Sequence, residues 1–344
     1  MLILCFYFPD SYSWVNYLFS DSNSHWRVTR LVPTIYFVVF FVALPLNIMA
    51  IIMFLVKIKV QKPAVVYMLN LAVADVFFIS ILPFHIVYRF SGSIWLIGDV
   101  MCRFVTAAFY CNMYCSILLM TSISVDRFLA VVYPVQSLPW RTLNRAWLVC
   151  CAIWVISLAS VITFLIKMQS LTLYELGITL CHDGYFFRND FNYYCDYFTS
   201  VISLFFILPL FITAFCYIGI IRSLSRSKFD RTHSRSRAII LAIIVLCVFV
   251  LCFGPTNVIH LNHNLTMLKY NEYTFYIPYT LCASISSINC CLDPLIYYFA
   301  SSQCRRYVYS LLRCNKDYRP PVEQKCKHQS PEKIYCVQFT RSEF

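Results

Sequence analysis

The sequence predicts an all-α membrane protein, a bundle of seven transmembrane helices followed by a short amphipathic helix on the cytoplasmic surface. Three observations predict it. Hydrophobic residues make up 60% of the chain and charged residues only 13%, about half the charged share of a soluble domain. The charges are bunched, which leaves seven long apolar runs between them. The basic residues also gather on alternate sides of those runs.

The runs set the element order. Residues 31–56, 104–125, 146–166, 197–221 and 238–268 carry no charge, and 63–88 and 273–303 are broken by very few charged side chains. A helix needs about 20 apolar residues to cross the hydrocarbon core, so each run is long enough. Lys57, Lys59 and Lys62 fall in the first connection, Arg141 and Arg145 in the third, and Arg222, Arg226, Lys228, Arg231, Arg235 and Arg237 in the fifth, opposed by Asp230 alone. Positive connections stay in the cytoplasm, which puts the amino terminus outside. The net charge of +12 is therefore a topology signal rather than a nucleic-acid footprint. The boundaries follow: an extracellular segment over 1–30, the helix bundle over 31–300, a membrane-surface helix over 301–314 and a disordered cytoplasmic tail over 315–344. Met1 to Phe8 are apolar but lack a basic leader, so the first span is expected to act as its own membrane-entry signal.

Polar groups inside the spans are the candidates for function, because they are costly there. Asp75 lies mid-span in the second run and Asp293 in the seventh. With Ser116 and Asn289, and with Asn47 nearby, they offer hard oxygen ligands at similar depth, which suits a Na⁺ ion. A hydrogen-bonded cluster in which one carboxyl keeps its proton is the other reading. Asp126-Arg127-Phe128 closes the third span at the cytoplasm. Adjacent opposite charges there can pair and then separate as helices part. Pro83, Pro209, Pro255 and Pro294 remove backbone donors and invite kinks. Of 18 cysteines, most sit in spans as small apolar residues. Cys102 and Cys181 both face the oxidising side, and a bridge between them would pin the loop between the fourth and fifth spans. Cys195 is a competitor, with Cys5 as its conceivable partner.

The wording of these runs resembles a known family. Leu71-Ala-Val-Ala-Asp75, Asp126-Arg127-Phe128, Trp154, Pro209 with Tyr217, Phe249-Val-Leu-Cys-Phe-Gly-Pro255 and Asp293-Pro294-Leu-Ile-Tyr297 resemble the rhodopsin-like G-protein-coupled receptors. Lys62-Pro-Ala-Val-Val-Tyr67, Cys102-Arg-Phe-Val-Thr-Ala-Ala-Phe-Tyr110, Ser137-Leu-Pro-Trp-Arg-Thr142, Cys181-His-Asp183 and Cys252-Phe-Gly-Pro-Thr-Asn257 are similar to the proteinase-activated receptors, thrombin-type members above all, over roughly residues 31–314. The resemblance implies a plasma-membrane receptor in which an extracellular serine protease frees a tethered peptide agonist, effective because tethering keeps its local concentration high. It implies heterotrimeric G proteins of the Gq, G12/13 and Gi classes as partners. Carried over residue by residue, Tyr110, His182, Asp183, Ile259 and Tyr279 form the ligand pocket, and Asp126, Arg127, Tyr217, Phe249, Pro255 and Tyr297 couple it to the G protein.

Departures accompany the resemblance. Only about 30 residues precede the first span, and their basic residues, Arg27 and Arg30, stand next to the membrane. The expectation is a receptor body without the usual cleavage segment, either because the gene model is incomplete or because a free peptide acts without cleavage. A non-signalling decoy is a further alternative. After Asp183 the loop reads Gly184-Tyr-Phe-Phe187, aromatic where the thrombin-type member has a further acid. Ser302 to Cys314 alternates basic and apolar residues at helical spacing, as a helix on the inner leaflet does. Cys314, and less well Cys304, could take palmitate, and Asn264-Leu265-Thr266 is a glycosylation sequon. A channel or transporter would show repeats or charge-lined broken helices, and an intramembrane protease would use the two aspartates differently. The sequence therefore points away from an enzyme, and to no cofactor beyond the candidate Na⁺.

Overall fold

A computed structural model of the chain describes residues 26–58, 60–173, 177–182, 197, 199–226, 232–259, 261, 276–301 and 304–307. Among these, six helices are long and apolar enough to cross a membrane: α1 (Arg27–Ile58), α2 (Pro63–Phe90), α3 (Asp99–Val132), α4 (Leu143–Ile166), α5 (Thr199–Ser225) and α6 (Ala238–Ile259). A seventh crossing is made by two shorter helices in tandem, α7 (Tyr276–Ser286) and α8 (Asn289–Ala300). The order agrees with the apolar runs. The sixth run was expected to reach 268, and the described helix reaches Ile259.

α3 is the axis of the bundle and packs against α2, α4 and α5. Its middle is buried on nearly every face, from Val105 to Met120. The outer helices invert the soluble pattern. Phe41, Leu148, Phe211 and Val250 are more than half exposed, as lipid-facing apolar side chains are when the surrounding solvent is itself apolar. A helix uncharged over its whole width needs no polar face, which is why the runs carry so little amphipathic period.

The four prolines are accommodated by three local devices. Pro83 stands in the first turn after a break at Ser80–Ile81, and so costs α2 no internal bond. Pro209 and Pro255 each follow a widened π-type turn, Ser203–Ile207 in α5 and Val248–Phe253 in α6. Pro294 leaves the Cys290 carbonyl without its helical donor, and Asn47 on α1 donates its Nδ2 to that carbonyl at 2.9 Å. The freed group is satisfied by a neighbouring helix. Just before it, Ser284, Ser286 and Ser287 each donate their hydroxyl to the carbonyl three residues earlier, competing with the backbone ladder where α7 gives way to α8.

One non-helical element was not legible beforehand. Ser170–Leu173 (β1) and Ile178–Cys181 (β2) form an antiparallel hairpin in the loop between α4 and α5, with Ser170 opposite Cys181. At the cytoplasmic end, Cys304 to Tyr307 are helical. The rest of the expected 301–314 helix, including Cys314, lies outside the described residues, as do Asp183 and Asn264. Cys304 itself is buried, which places it badly for acylation.

Candidate functional site

Three groups of polar side chains line one axis through the bundle. The outermost begins with the hairpin. A disulfide joins Cys181 at the end of β2 to Cys102 in the first turn of α3, so the loop is pinned as expected. Asp99 adds to this: its Oδ1 accepts from the Ser170 hydroxyl and amide at 2.6 and 2.9 Å and from the Gln169 amide at 3.1 Å, while Oδ2 pairs with Arg103. Tyr88 accepts the Cys181 amide at 3.2 Å, and Trp95 donates its amide to Thr179 at 2.7 Å.

The hairpin is thereby held across a cavity with about 540 Å³ of open space, bounded by Tyr36, His85, Arg89, Tyr110, His182 and Tyr279 among others. The Tyr110 hydroxyl on α3 is 3.1 Å from His182 Nε2 and 2.5 Å from the Tyr279 hydroxyl on α7. Gln169 holds the other imidazole nitrogen at 3.2 Å. His182 takes a left-handed backbone conformation, φ 61°, that turns the chain at the end of β2. The Tyr110 ring lies flat on Phe164 of α4, centroids 4.8 Å apart. Three of the five expected pocket residues therefore meet. Ile259 is not among the residues that line this cavity. Tyr36, His85, Tyr88, Arg89 and Trp95 were missed. Arg89, one residue past the second apolar run, belongs to α2.

Midway down lies a buried cluster containing all four residues of the candidate ion site, Asp75, Ser116, Asn289 and Asp293. Oδ2 of Asp75, both carboxyl oxygens of Asp293, the Ser116 hydroxyl and the Asn289 amide nitrogen are buried without a hydrogen-bond partner. The two carboxyls interact with each other. Two acceptors cannot satisfy one another, so the cluster needs a proton, a water or a cation between them. Cys290 and Asn112, absent from the expected set, also take part: the Cys290 thiol donates to Asp75 Oδ1 at 3.4 Å and receives Asn112 Nδ2 at 3.9 Å. Asn47 is committed elsewhere, donating to two carbonyls and accepting the Tyr297 hydroxyl at 3.4 Å.

At the cytoplasmic end the expected Asp126–Arg127 pair is not what forms. Asp126 accepts a two-pronged contact from Arg141, 2.9 Å from Nε to Oδ1 and 3.3 Å from Nη2 to Oδ2. Consecutive helical residues point about 100° apart and do not face each other, whereas Arg141 arrives from the connection to α4. Arg127 is turned inward with its Nε buried and unpartnered, close enough to Tyr217 to interact electrostatically. Tyr217 on α5 is buried with its hydroxyl 3.2 Å from Ser124 Oγ. Phe249 packs edge-on against Phe253, ring centres 6.2 Å apart, just before Pro255. Phe128 covers Gly219 so closely that a methyl group there would overlap its ring. Tyr297 packs edge-on against Phe54.

The comparisons agree with this architecture. The family described as 7 transmembrane receptor (rhodopsin family) matches residues 46–297. The chain is 57% identical to proteinase-activated receptor 1 of Xenopus laevis and 54% identical to that of Homo sapiens, in each case over 87% of this chain and 70% of the relative. It is 35% identical to proteinase-activated receptor 2 of Bos taurus over 83% of this chain and 73% of the relative. With a transmembrane bundle, a pinned outer loop and identity at this level over most of its length, the chain belongs to the proteinase-activated receptors, a family of rhodopsin-type G-protein-coupled receptors, and is a multi-pass protein of the plasma membrane.

Proposed function

We propose that this receptor binds a peptide agonist in the cavity beneath the hairpin and, in response, switches heterotrimeric G proteins of the Gq, G12/13 and Gi classes. The observation that carries the reading is that one helix serves all three polar groups. α3 places Tyr110 in the cavity, Ser116 beside the buried carboxylates, and Asp126 and Arg127 at the cytoplasm. Tyr110 and Arg127 stand roughly 25 Å apart at about 1.5 Å per residue. A rigid element that spans both ends can transmit a shift if its partners have two arrangements. The widened turns before Pro209 and Pro255, on the two helices that flank the cytoplasmic end, supply such partners.

Tyr110, His182 and Tyr279 offer apolar faces with polar tips, suited to a peptide. Asp183, next in sequence to His182, suits its free amine. The relatives are named as proteinase-activated, and an extracellular serine protease that exposes such a peptide is the trigger to expect here. Asp75, Ser116, Asn289 and Asp293 would hold Na⁺ through their oxygens, and the ion's single charge would offset one carboxylate while the other carboxyl keeps its proton.

Ca²⁺ release in cells that express the chain tests this reading, with free hexapeptides, thrombin and trypsin as stimuli. The expected result is a response to peptides that Arg127→Ala abolishes while peptide binding survives. A surface-expressed chain that answers neither peptides nor proteases would overturn it.

A further inference from the structure

Gln169 stands between α4 and β1. It is buried, and it is not among the described residues that line the cavity. Four bonds nevertheless tie it to the site. Its amide donates to Asp99 Oδ1 at 3.1 Å, and its carbonyl accepts the His182 amide at 2.8 Å. Its side-chain Nε2 donates to the Lys167 carbonyl at 3.2 Å, and its Oε1 lies 3.2 Å from His182 Nδ1. The Lys167 bond decides which way round the amide lies. Turned over, Oε1 would face a carbonyl, and two acceptors cannot satisfy each other. Oε1 therefore faces the imidazole, and an amide oxygen only accepts. Nδ1 of His182 has to carry the hydrogen between them, in the neutral ring as in the imidazolium. With that nitrogen taken, Nε2 is the one that meets the Tyr110 hydroxyl, 3.1 Å away.

Asp99 fixes Gln169 in turn. Its Oδ1 also accepts the hydroxyl and amide of Ser170, while Oδ2 pairs with Arg103, whose Nη1 donates to the Ile166 carbonyl at the end of α4 at 3.3 Å. Ser170 is the residue opposite Cys181 in the hairpin. Asp99 and Cys102 are three positions apart on α3, neighbours on one face. Between them they grip both strands of a single rung, one by hydrogen bonds and the other by the disulfide. The disulfide fixes the chain one residue before His182 and does not reach its ring. The ring is set through Asp99 and Gln169.

We propose that Asp99, acting through Gln169, sets the orientation and the tautomer of His182, with the hydrogen on Nδ1. Both are positioning residues, since they act on the cavity through the imidazole. The consequence for ligands rests on the peptide-receptor reading above: an imidazole held in this way keeps Nε2 turned to Tyr110, where a bound peptide meets it.

Magnetic resonance of the full chain, isotope-labelled at histidine and purified into lipid nanodiscs, tests it. The chain has 7 histidines, and His182→Asn identifies the signal by its loss. At alkaline pH, where the ring is neutral, the wild-type signal is expected to read as the Nδ1–H tautomer. Gln169→Leu, which offers no acceptor, moves it towards Nε2–H, while Gln169→Glu, which keeps one, holds Nδ1–H. Asp99→Ala gives a mixture of the two. It also weakens binding of a free-amine hexapeptide roughly tenfold, the scale of a lost hydrogen bond to a charged group. A wild-type ring with its hydrogen on Nε2 overturns the proposal, and that arm needs no variant to fold. So does an Nδ1–H signal that persists unchanged in Gln169→Leu, or a wild-type tautomer in Asp99→Ala. If peptides bind while the ring reads Nε2–H, only this proposal falls. If the tautomers behave as expected and no peptide binds, this proposal stands and the peptide-receptor reading falls.

Discussion

The outer and inner halves of this bundle differ in how their central polar groups are partnered. Beneath the hairpin, polar atoms find each other: Tyr110 with His182 and Tyr279, His182 with Gln169, and Asp99 with two amides, a hydroxyl and a guanidinium. Deeper in, the carboxyls of Asp75 and Asp293, the hydroxyl of Ser116, the amide of Asn289 and Nε of Arg127 are buried with groups unpartnered. A satisfied network specifies one arrangement, while an unsatisfied one leaves several of similar energy. The difference teaches where a switch has to be. The outer half holds a cavity walled by bonded side chains, and the inner half holds groups for which a helix movement can supply partners.

Arg141 is the sharpest way to break that contrast, because it gives the inner half its one strong ion pair among the described residues. Asp126 is buried, and Arg141→Ala would leave its carboxylate without a cation. Removing one partner of a buried pair costs about 3–5 kcal/mol, and the partial exposure of Arg141, 21% for its side chain, reduces the expectation to about 2 kcal/mol. The expected outcome is reduced thermal stability together with altered coupling, with peptide affinity unchanged. In an Asp126→Asn background Arg141→Ala should then do little. Additive effects of the two substitutions would mean that the pair is not coupled.

The ion cluster supplies the next effect. If Na⁺ sits between Asp75 and Asp293, replacing it by choline at constant ionic strength should shift peptide affinity by about tenfold, a typical coupling between two sites. Asp293→Asn and Ser116→Ala should each flatten the dependence. A receptor indifferent to Na⁺ would leave a proton or water as the occupant and make the inner half better satisfied than the comparison holds.

How much of this was legible in the sequence depends on how far apart the interacting residues are. Spans are local properties, and they read correctly because bilayer thickness imposes a length on each run. Asp75 and Asp293 stood out because an ionisable group in an apolar run is costly. Cys290 did not, since a cysteine in a span reads as a small apolar residue until a carboxylate lies against its thiol. The Asp126–Arg141 pair crosses fifteen residues and a turn, and nothing in the spacing singles out Arg141 among the basic residues around it. Arg89 and His85 were hidden for another reason. Charges near a span end look like loop charges, and only the break at Ser80–Ile81 shows that a further helical segment carries them inward. Asp99 was likewise one charge among several at a span end, and its role appears only once the hairpin is in place.

The smallest effect tests the outer half. Tyr279 meets the Tyr110 hydroxyl at 2.5 Å, and Tyr110 in turn holds His182, so removing the Tyr279 hydroxyl takes a bond from Tyr110 alone, whereas removing the Tyr110 hydroxyl takes one from each of the others. Tyr279→Phe keeps the ring and deletes only the hydroxyl, which should cost about 1 kcal/mol, or roughly fivefold in peptide affinity. Tyr110→Phe severs both contacts and should cost more than Tyr279→Phe. If the outer half is one network, the Tyr110→Phe/Tyr279→Phe double variant should lose no more than Tyr110→Phe alone, because the bond between them is already gone. Binding measured on the three variants decides it. Simple additivity would show that each hydroxyl meets the ligand separately, so that the outer half would be, like the inner, a set of groups awaiting a partner.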